Sequence, residues 1–80
     1  VRIGIIGGTG GIGEGMALRM APTHTVVIGS RETEKAQVCC DECEKILQQR
    51  GFSCSLIGKT NQETVDFADL VILAIPFRFL

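Results

Sequence analysis

Eighty residues allow one small domain, and a chain of this size buries only about 60–65% of the surface that its unfolded form exposes. The hydrophobic fraction of 45% is ordinary for a globular protein. A formal net charge of -1 excludes a basic face for nucleic acid and a polybasic signal for a membrane. The longest apolar run, Leu70 to Pro76, is far short of the ~20 residues that span a bilayer. The sequence opens directly on a strand-like segment, so no signal peptide and a cytoplasmic location are expected.

Arg2 to Gly7 is a short apolar run that ends in glycines, as a buried parallel strand does. Ile12 to Ala21 is rich in helix formers, with Ile12, Met16, Ala17 and Met20 spaced for one face and Pro22 as the stop. His24 to Gly29 is β-branched and apolar, which predicts a second strand. Arg31 to Arg50 is the longest periodic segment. There Ala36, Cys39, Cys40, Cys43, Ile46 and Leu47 form one stripe of a helix, and Gly51 is placed to cap its C-terminus. Phe52 to Gly58 alternates well enough for a third strand. Thr60 and Glu63 have capping-box spacing, which starts a short helix through Ala68. Leu70 to Ile75 is a continuous apolar run closed by Pro76, a fourth strand. This βαβαβαβ order predicts an α/β fold, because right-handed crossovers give a parallel sheet with helices on both faces. The Rossmann-type version has strand order 3-2-1-4, about half of the full doubly wound sheet.

The glycine loop lies between the first strand and the first helix. Gly8, Gly10 and Gly13 satisfy G-x-G-x-x-G, a weak match alone but an informative one in that context. The first glycine permits the tight turn, the second lets the backbone approach a pyrophosphate, and the third lets the helix pack on the strand. Exposed N–H groups and the helix dipole then favour phosphate. The bland alternative is a structural turn, which makes poor use of so many conformationally costly glycines.

The end of the second strand selects the cofactor. NAD-specific sites offer a carboxylate there to the ribose hydroxyls. This sequence offers Ser30 and Arg31, with Lys35 one helical turn further on. These groups donate to a 2′-phosphate that a carboxylate would repel, so NADP(H) is the expected dinucleotide. The competing reading makes Ser30 a helix N-cap and leaves Arg31 and Lys35 on a solvated face.

Gly7-Gly8-Thr9-Gly10, then Gly13 and Gly15, Ala17 and Arg19, Val27 to Arg31, Glu34 to Ala36 and Ala74 to Pro76 together resemble the NADPH-dependent coenzyme F-420 reductases. That family passes hydride between NADP and the 5-deazaflavin coenzyme F-420, chiefly in archaea and some bacteria. The resemblance runs through nearly the whole chain. It implies that Thr9, Gly10, Gly11 and Ile12 wrap the pyrophosphate, and that Ser30, Arg31 and Lys35 hold the 2′-phosphate. It also implies that Ile75 and Pro76 line the path to the nicotinamide, with coenzyme F-420 as co-substrate. Hydride passes directly between two carbons in the family, so no catalytic side chain is nominated. Family members continue well past the equivalent of Leu80 and build much of the deazaflavin pocket there. Residues 1–80 therefore read as one NADP-binding domain, truncated relative to the family, or as a module that works with a partner.

Cys39, Cys40 and Cys43 fall on the apolar stripe and read as reduced core residues, although with Cys54 they could also supply thiolates to a metal. His24, at a strand start, reads as structural or solvated. Phe77, Phe79 and Leu80 follow a strand whose outer edge would normally be paired, which predicts a homodimer or higher oligomer. Two functional alternatives stay open beside the F-420-linked reductase. One is an NADP-dependent reductase with another acceptor, such as a metal ion or a small imino or keto acid. The other is a non-catalytic NADP-binding or redox-sensing module.

Overall fold

A computed structural model describes residues 1–7 and 10–74. The elements are β1 (Arg2–Ile6), α1 (Gly11–Met20), β2 (Thr25–Ser30), α2 (Thr33–Gln49), β3 (Leu56–Thr60), α3 (Asn61–Phe67) and β4 (Leu70–Leu73). All strand pairs are parallel, and the order across the sheet is β3-β2-β1-β4, as the sequence predicts.

Side chains alternate between the two faces of the sheet. Ile3, Ile5, Val26, Ile28 and Leu56 meet Ala17 of α1 and Ala36, Cys39, Cys40, Cys43 and Leu47 of α2 in one buried cluster. The cysteine stripe is therefore core, with Ile46 only half-buried beside it. The opposite face takes α3. A Cβ on Gly4 would lie 2.7 Å from Thr64 Cγ2 and 2.8 Å from Ala68 Cβ, and one on Gly29 would lie 2.8 Å from Thr64 Oγ1. These two glycines let α3 sit directly on β1 and β2. Gly58 plays the same part on the other face, where α2 backbone atoms would come within 2.8 Å of its Cβ.

Several boundaries depart from the sequence reading. Ile12 does not join the buried face of α1; it is exposed, and the helix packs through Gly13 and Ala17 instead. Close helix–sheet approach is governed here by side-chain size, not by hydrophobicity. Arg31 lies outside α2, which starts at Thr33 with Glu32 as its N-cap, so Ser30 is the last residue of β2 and not the cap. Ser30 Oγ still accepts a bond of 3.5 Å from the Glu32 N–H. The ladder of β3 begins at Leu56, four residues after Phe52, because the chain first has to close α2. Gly51, at φ 89°, does this. Its N–H bonds Gln48 O at 3.0 Å and the Phe52 N–H bonds Leu47 O at 2.9 Å, the paired pattern of a Schellman motif. His24 is exposed in a bend just before β2.

The capping box of α3 forms as expected. Glu63 N–H donates to Thr60 Oγ1 at 3.2 Å, and Thr60 N–H returns a bond of 3.2 Å to Glu63 Oε1. At the opposite edge of the sheet, Asp69 accepts from Arg2 N at 2.9 Å and pairs with its guanidinium at 3.2 Å, closing β4 onto β1.

Candidate functional site

Parallel strands direct all their C-terminal ends, and the helix N-termini that follow, to one edge of the sheet. A cleft of about 550 Å³ lies there, lined by Ile6, Gly7, Ser30, Arg31, Glu32, Lys35 and Asn61. Each lining residue is delivered by the crossover logic. Ile6 and Gly7 end β1, Ser30 to Glu32 connect β2 to α2, Lys35 is in the first turn of α2, and Asn61 opens α3. Gly7 has φ 72°, a left-handed backbone that turns the chain sharply off the strand and that only glycine adopts cheaply.

Three residues nominated from the sequence, Ser30, Arg31 and Lys35, thus come together on one cleft. Ser30 is buried, whereas Arg31 and Lys35 are exposed, and neither cation makes a salt bridge among the described residues. Two exposed cations beside a buried hydroxyl suit an anionic group that enters from solvent. Glu32 is an acidic exception on the same wall, and the sequence reading passed over it.

Gly10 is the N-cap of α1 in an extended conformation (φ -85°, ψ 173°) with no side-chain cap. The first intrahelical bond runs from Glu14 N–H to Gly10 O at 3.0 Å, so helix geometry leaves the N–H groups of Gly11, Ile12 and Gly13 without intrahelical acceptors. A Cβ on Gly10 or Gly11 would meet nothing within 4 Å, whereas Gly13 is buried against the sheet. The open glycines and the packed glycine occupy the places that the fingerprint requires of its second and third positions. Gly8, Thr9, Ile75 and Pro76 lie outside the described residues.

Sequence reasoning missed Ile6, Gly7, Glu32 and Asn61. Gly7 was visible as the first member of the glycine run. Asn61 had only a faint signal: it follows Thr60, which already caps α3, so its side chain has no duty in that helix. Asn61 Oδ1 is buried and has no hydrogen-bond partner among the described residues. Two exposed cations at the rim of the cleft, with no salt bridge among the described residues, and bare helix N–H groups beside β1 fit a dinucleotide phosphate ester.

The thiols stand apart from this cleft. Burial pushes Cys40 up to about 12, and burial with the neighbouring Cys43 raises Cys39 further. Such thiols are packing residues and poor nucleophiles. Among the described residues no group of His, Cys, Asp and Glu is arranged to hold a metal ion.

A parallel 3-2-1-4 sheet with its cleft at the C-terminal ends of β1 and β2 defines the Rossmann-like class of domain. The chain belongs to the family described as "NADP oxidoreductase coenzyme F420-dependent", which it matches over residues 2–80. It is 40% identical over 79 residues to the F420-dependent NADP reductase of Methanocaldococcus jannaschii, covering 99% of this chain and 35% of that protein. The enzyme of the same name from Methanothermobacter thermautotrophicus is 40% identical over 80 residues, covering 98% of this chain and 33% of the relative. That of Methanothermobacter marburgensis is 35% identical over 79 residues, covering 98% and 34%. The chain thus spans about a third of the length of these relatives.

Proposed function

We propose that this chain holds NADP(H) as the nucleotide-binding part of an oxidoreductase that passes hydride between NADP(H) and the deazaflavin coenzyme F-420. The observation that carries the nucleotide reading is the convergence of Ser30, Arg31 and Lys35 on one cleft at the end of β2, where an NAD site would present a carboxylate. In this reading Ser30, Arg31 and Lys35 grip the adenosine 2′-phosphate. The N–H groups at Gly11, Ile12 and Gly13, approached past Gly8, Thr9 and Gly10, receive the pyrophosphate, and Ile75 and Pro76 flank the nicotinamide. The bound dinucleotide supplies the hydride chemistry, and the chain's own residues bind and orient it. The deazaflavin as acceptor is supported by family membership and by the similarity to F420-dependent NADP reductases.

Calorimetric titration with NADPH and NADH, repeated on Arg31→Ala, tests the reading. Each charge-assisted hydrogen bond is worth about 1.5–3 kcal/mol, so the variant is expected to bind NADPH about 10- to 150-fold more weakly and NADH unchanged. Equal affinity of the parent chain for both nucleotides would refute it.

Residues 1–80 are read as one domain. A homodimer or larger oligomer is part of the same reading, and Leu70 and Leu73 of β4, 53% and 68% exposed, are apolar positions that either a further strand or a second copy would cover. A monomer at tens of micromolar in sedimentation would count against it. A cytoplasmic location belongs to the same reading, since Cys39, Cys40 and Cys43 pack in the core as thiols, which suits a reducing compartment.

A further inference from the structure

Asn61 is the one uncharged polar side chain that α3 contributes to the cleft, and it comes from the face of the sheet opposite α1 and α2. Its neighbours fix how it sits. A Cβ on Gly29 would fall 3.0 Å from Asn61 Oδ1, so the amide oxygen lies directly against the bare Cα of Gly29. That oxygen is buried and has no hydrogen-bond partner among the described residues. The helix does not need the residue, because Thr60 and Glu63 complete the cap between themselves. The residue lines the cleft, and the polar atom of the carboxamide that is not set against Gly29 is Nδ2, a donor of two N–H bonds.

The neighbouring cleft groups are Ser30, Arg31 and Lys35. An amide N–H is neutral and fixed, whereas Arg31 and Lys35 are exposed and must be ordered by the ligand. We propose that Asn61 is a specificity-determining residue that donates its carboxamide N–H to the 2′-phosphorylated ribose of NADP(H), serving as the rigid floor of a site whose rim is cationic. The proposal rests on the NADP(H) reading above and adds to it a residue on the far side of the sheet. It also gives Gly29 a role: with any side chain at that position the amide could not take its seat.

The test uses two probes, adenosine 2′,5′-bisphosphate and 5′-AMP, which differ only in the 2′-phosphate. Asn61 is the only asparagine in the sequence, so selective ¹⁵N-asparagine labelling gives a single side-chain NH₂ pair. In the parent chain that pair should shift on addition of the bisphosphate and hardly at all with 5′-AMP. Asn61→Asp keeps an oxygen against Gly29 and replaces the donor by a second, charged oxygen. It should weaken the bisphosphate at least thirtyfold and leave 5′-AMP within twofold. Asn61→Ala should weaken the bisphosphate about tenfold.

An unmoved carboxamide resonance, or variants that keep the parent preference for the bisphosphate, would overturn this inference while leaving the NADP(H) reading intact. Equal losses for both probes would make Asn61 a scaffold residue and overturn it as well. A parent chain with no preference between the probes would overturn both readings. The resonance measurement needs no variant, so it decides even where a substitution prevents folding.

Discussion

Glu44 in the middle of α2 accepts a hydrogen bond of 2.8 Å at Oε2 from the backbone N–H of Leu56, the first residue of β3. This contact sets where the third strand starts. The chain leaves α2 through Gly51 and stays out of the ladder until the carboxylate captures the Leu56 amide. Glu44→Ala strands that donor at a buried position and is expected to lower stability by about 1–2 kcal/mol in urea unfolding. Glu44→Gln, which keeps an acceptor, should recover more than half of the loss.

Two glycines predict opposite signs. At Gly29 a methyl group would meet Thr64 Oγ1 at 2.8 Å and Thr64 Cβ at 3.2 Å, so Gly29→Ala has to push α3 off the sheet. The expected loss is about 1–3 kcal/mol. At Gly15, inside α1, a methyl group would meet nothing within 4 Å. Gly15→Ala should stabilise by about 0.5–1 kcal/mol through helix propensity. Denaturant midpoints for both variants check the pair.

The acid limb of the stability curve should trace to two carboxylates. Bonds from the backbone and side chain of Thr60 hold Glu63 below its usual value, and bonds from Arg2 do the same for Asp69. A folded-state pKa that is depressed gives stability that is present above the unfolded value and lost as pH falls. Stability should therefore decline below pH 4.5 for Glu63 and below 3.8 for Asp69, the ordinary values of the two groups. Thr60→Ala costs about 1 kcal/mol at neutral pH as a lost cap and should also flatten this limb. Unfolding at pH 7 and pH 3.5, in parent and variant, measures both effects.

The thiols predict the alkaline limb. Burial, then the neighbouring Cys43, raise Cys40 from 9.0 to about 12. A raised folded-state value leaves stability intact below the unfolded value and removes it as pH rises towards the folded one, here between 9 and about 12. In the native state iodoacetamide at mildly alkaline pH should label the half-buried Cys54 quickly. It should reach the buried Cys39, Cys40 and Cys43 only as fast as the chain opens. Mass spectrometry of a labelling time course counts the modified sites. Simultaneous labelling of all positions would contradict the packing described for α2.

Glu32 shares the cleft with Arg31 and Lys35. A carboxylate there repels a phosphate, though solvent weakens the effect to about 0.2–1 kcal/mol. Glu32→Gln should therefore tighten NADPH about two- to fivefold and leave NADH nearly unchanged, as read by calorimetry.

The cysteine stripe, the Gly51 turn and the Thr60–Glu63 cap were legible in the sequence because each rests on local spacing, and strand order followed from the βαβ succession and the dinucleotide-binding version of the fold. The failures share a cause in tertiary contact. Ile12 belongs by periodicity with Ala17, yet α1 approaches the sheet too closely for a large side chain and buries Gly13 instead. Arg31 looked like the first residue of a helix that begins two residues later, because Ser30 is retained by the β2 ladder opposite Thr60. Of the cleft, the cationic wall was readable from Ser30, Arg31 and Lys35. The floor was not, since Asn61 stands 30 positions beyond Arg31 and reaches the site only through the pairing of β3 with β2.

The seat of Gly29 limits how the nucleotide preference of this protein could be re-engineered. Converting an NADP site to NAD commonly means installing an acid at the end of the second strand, and position 29 looks in the sequence like one of the natural choices. Its Cα is flush against Thr64 and Asn61, so an aspartate there would dislodge α3 before it met any ribose. The acid has to enter at position 30 or 31, where the chain has already cleared the helix behind it. The helix packed behind the sheet thereby decides which front-wall mutations are open to a designer.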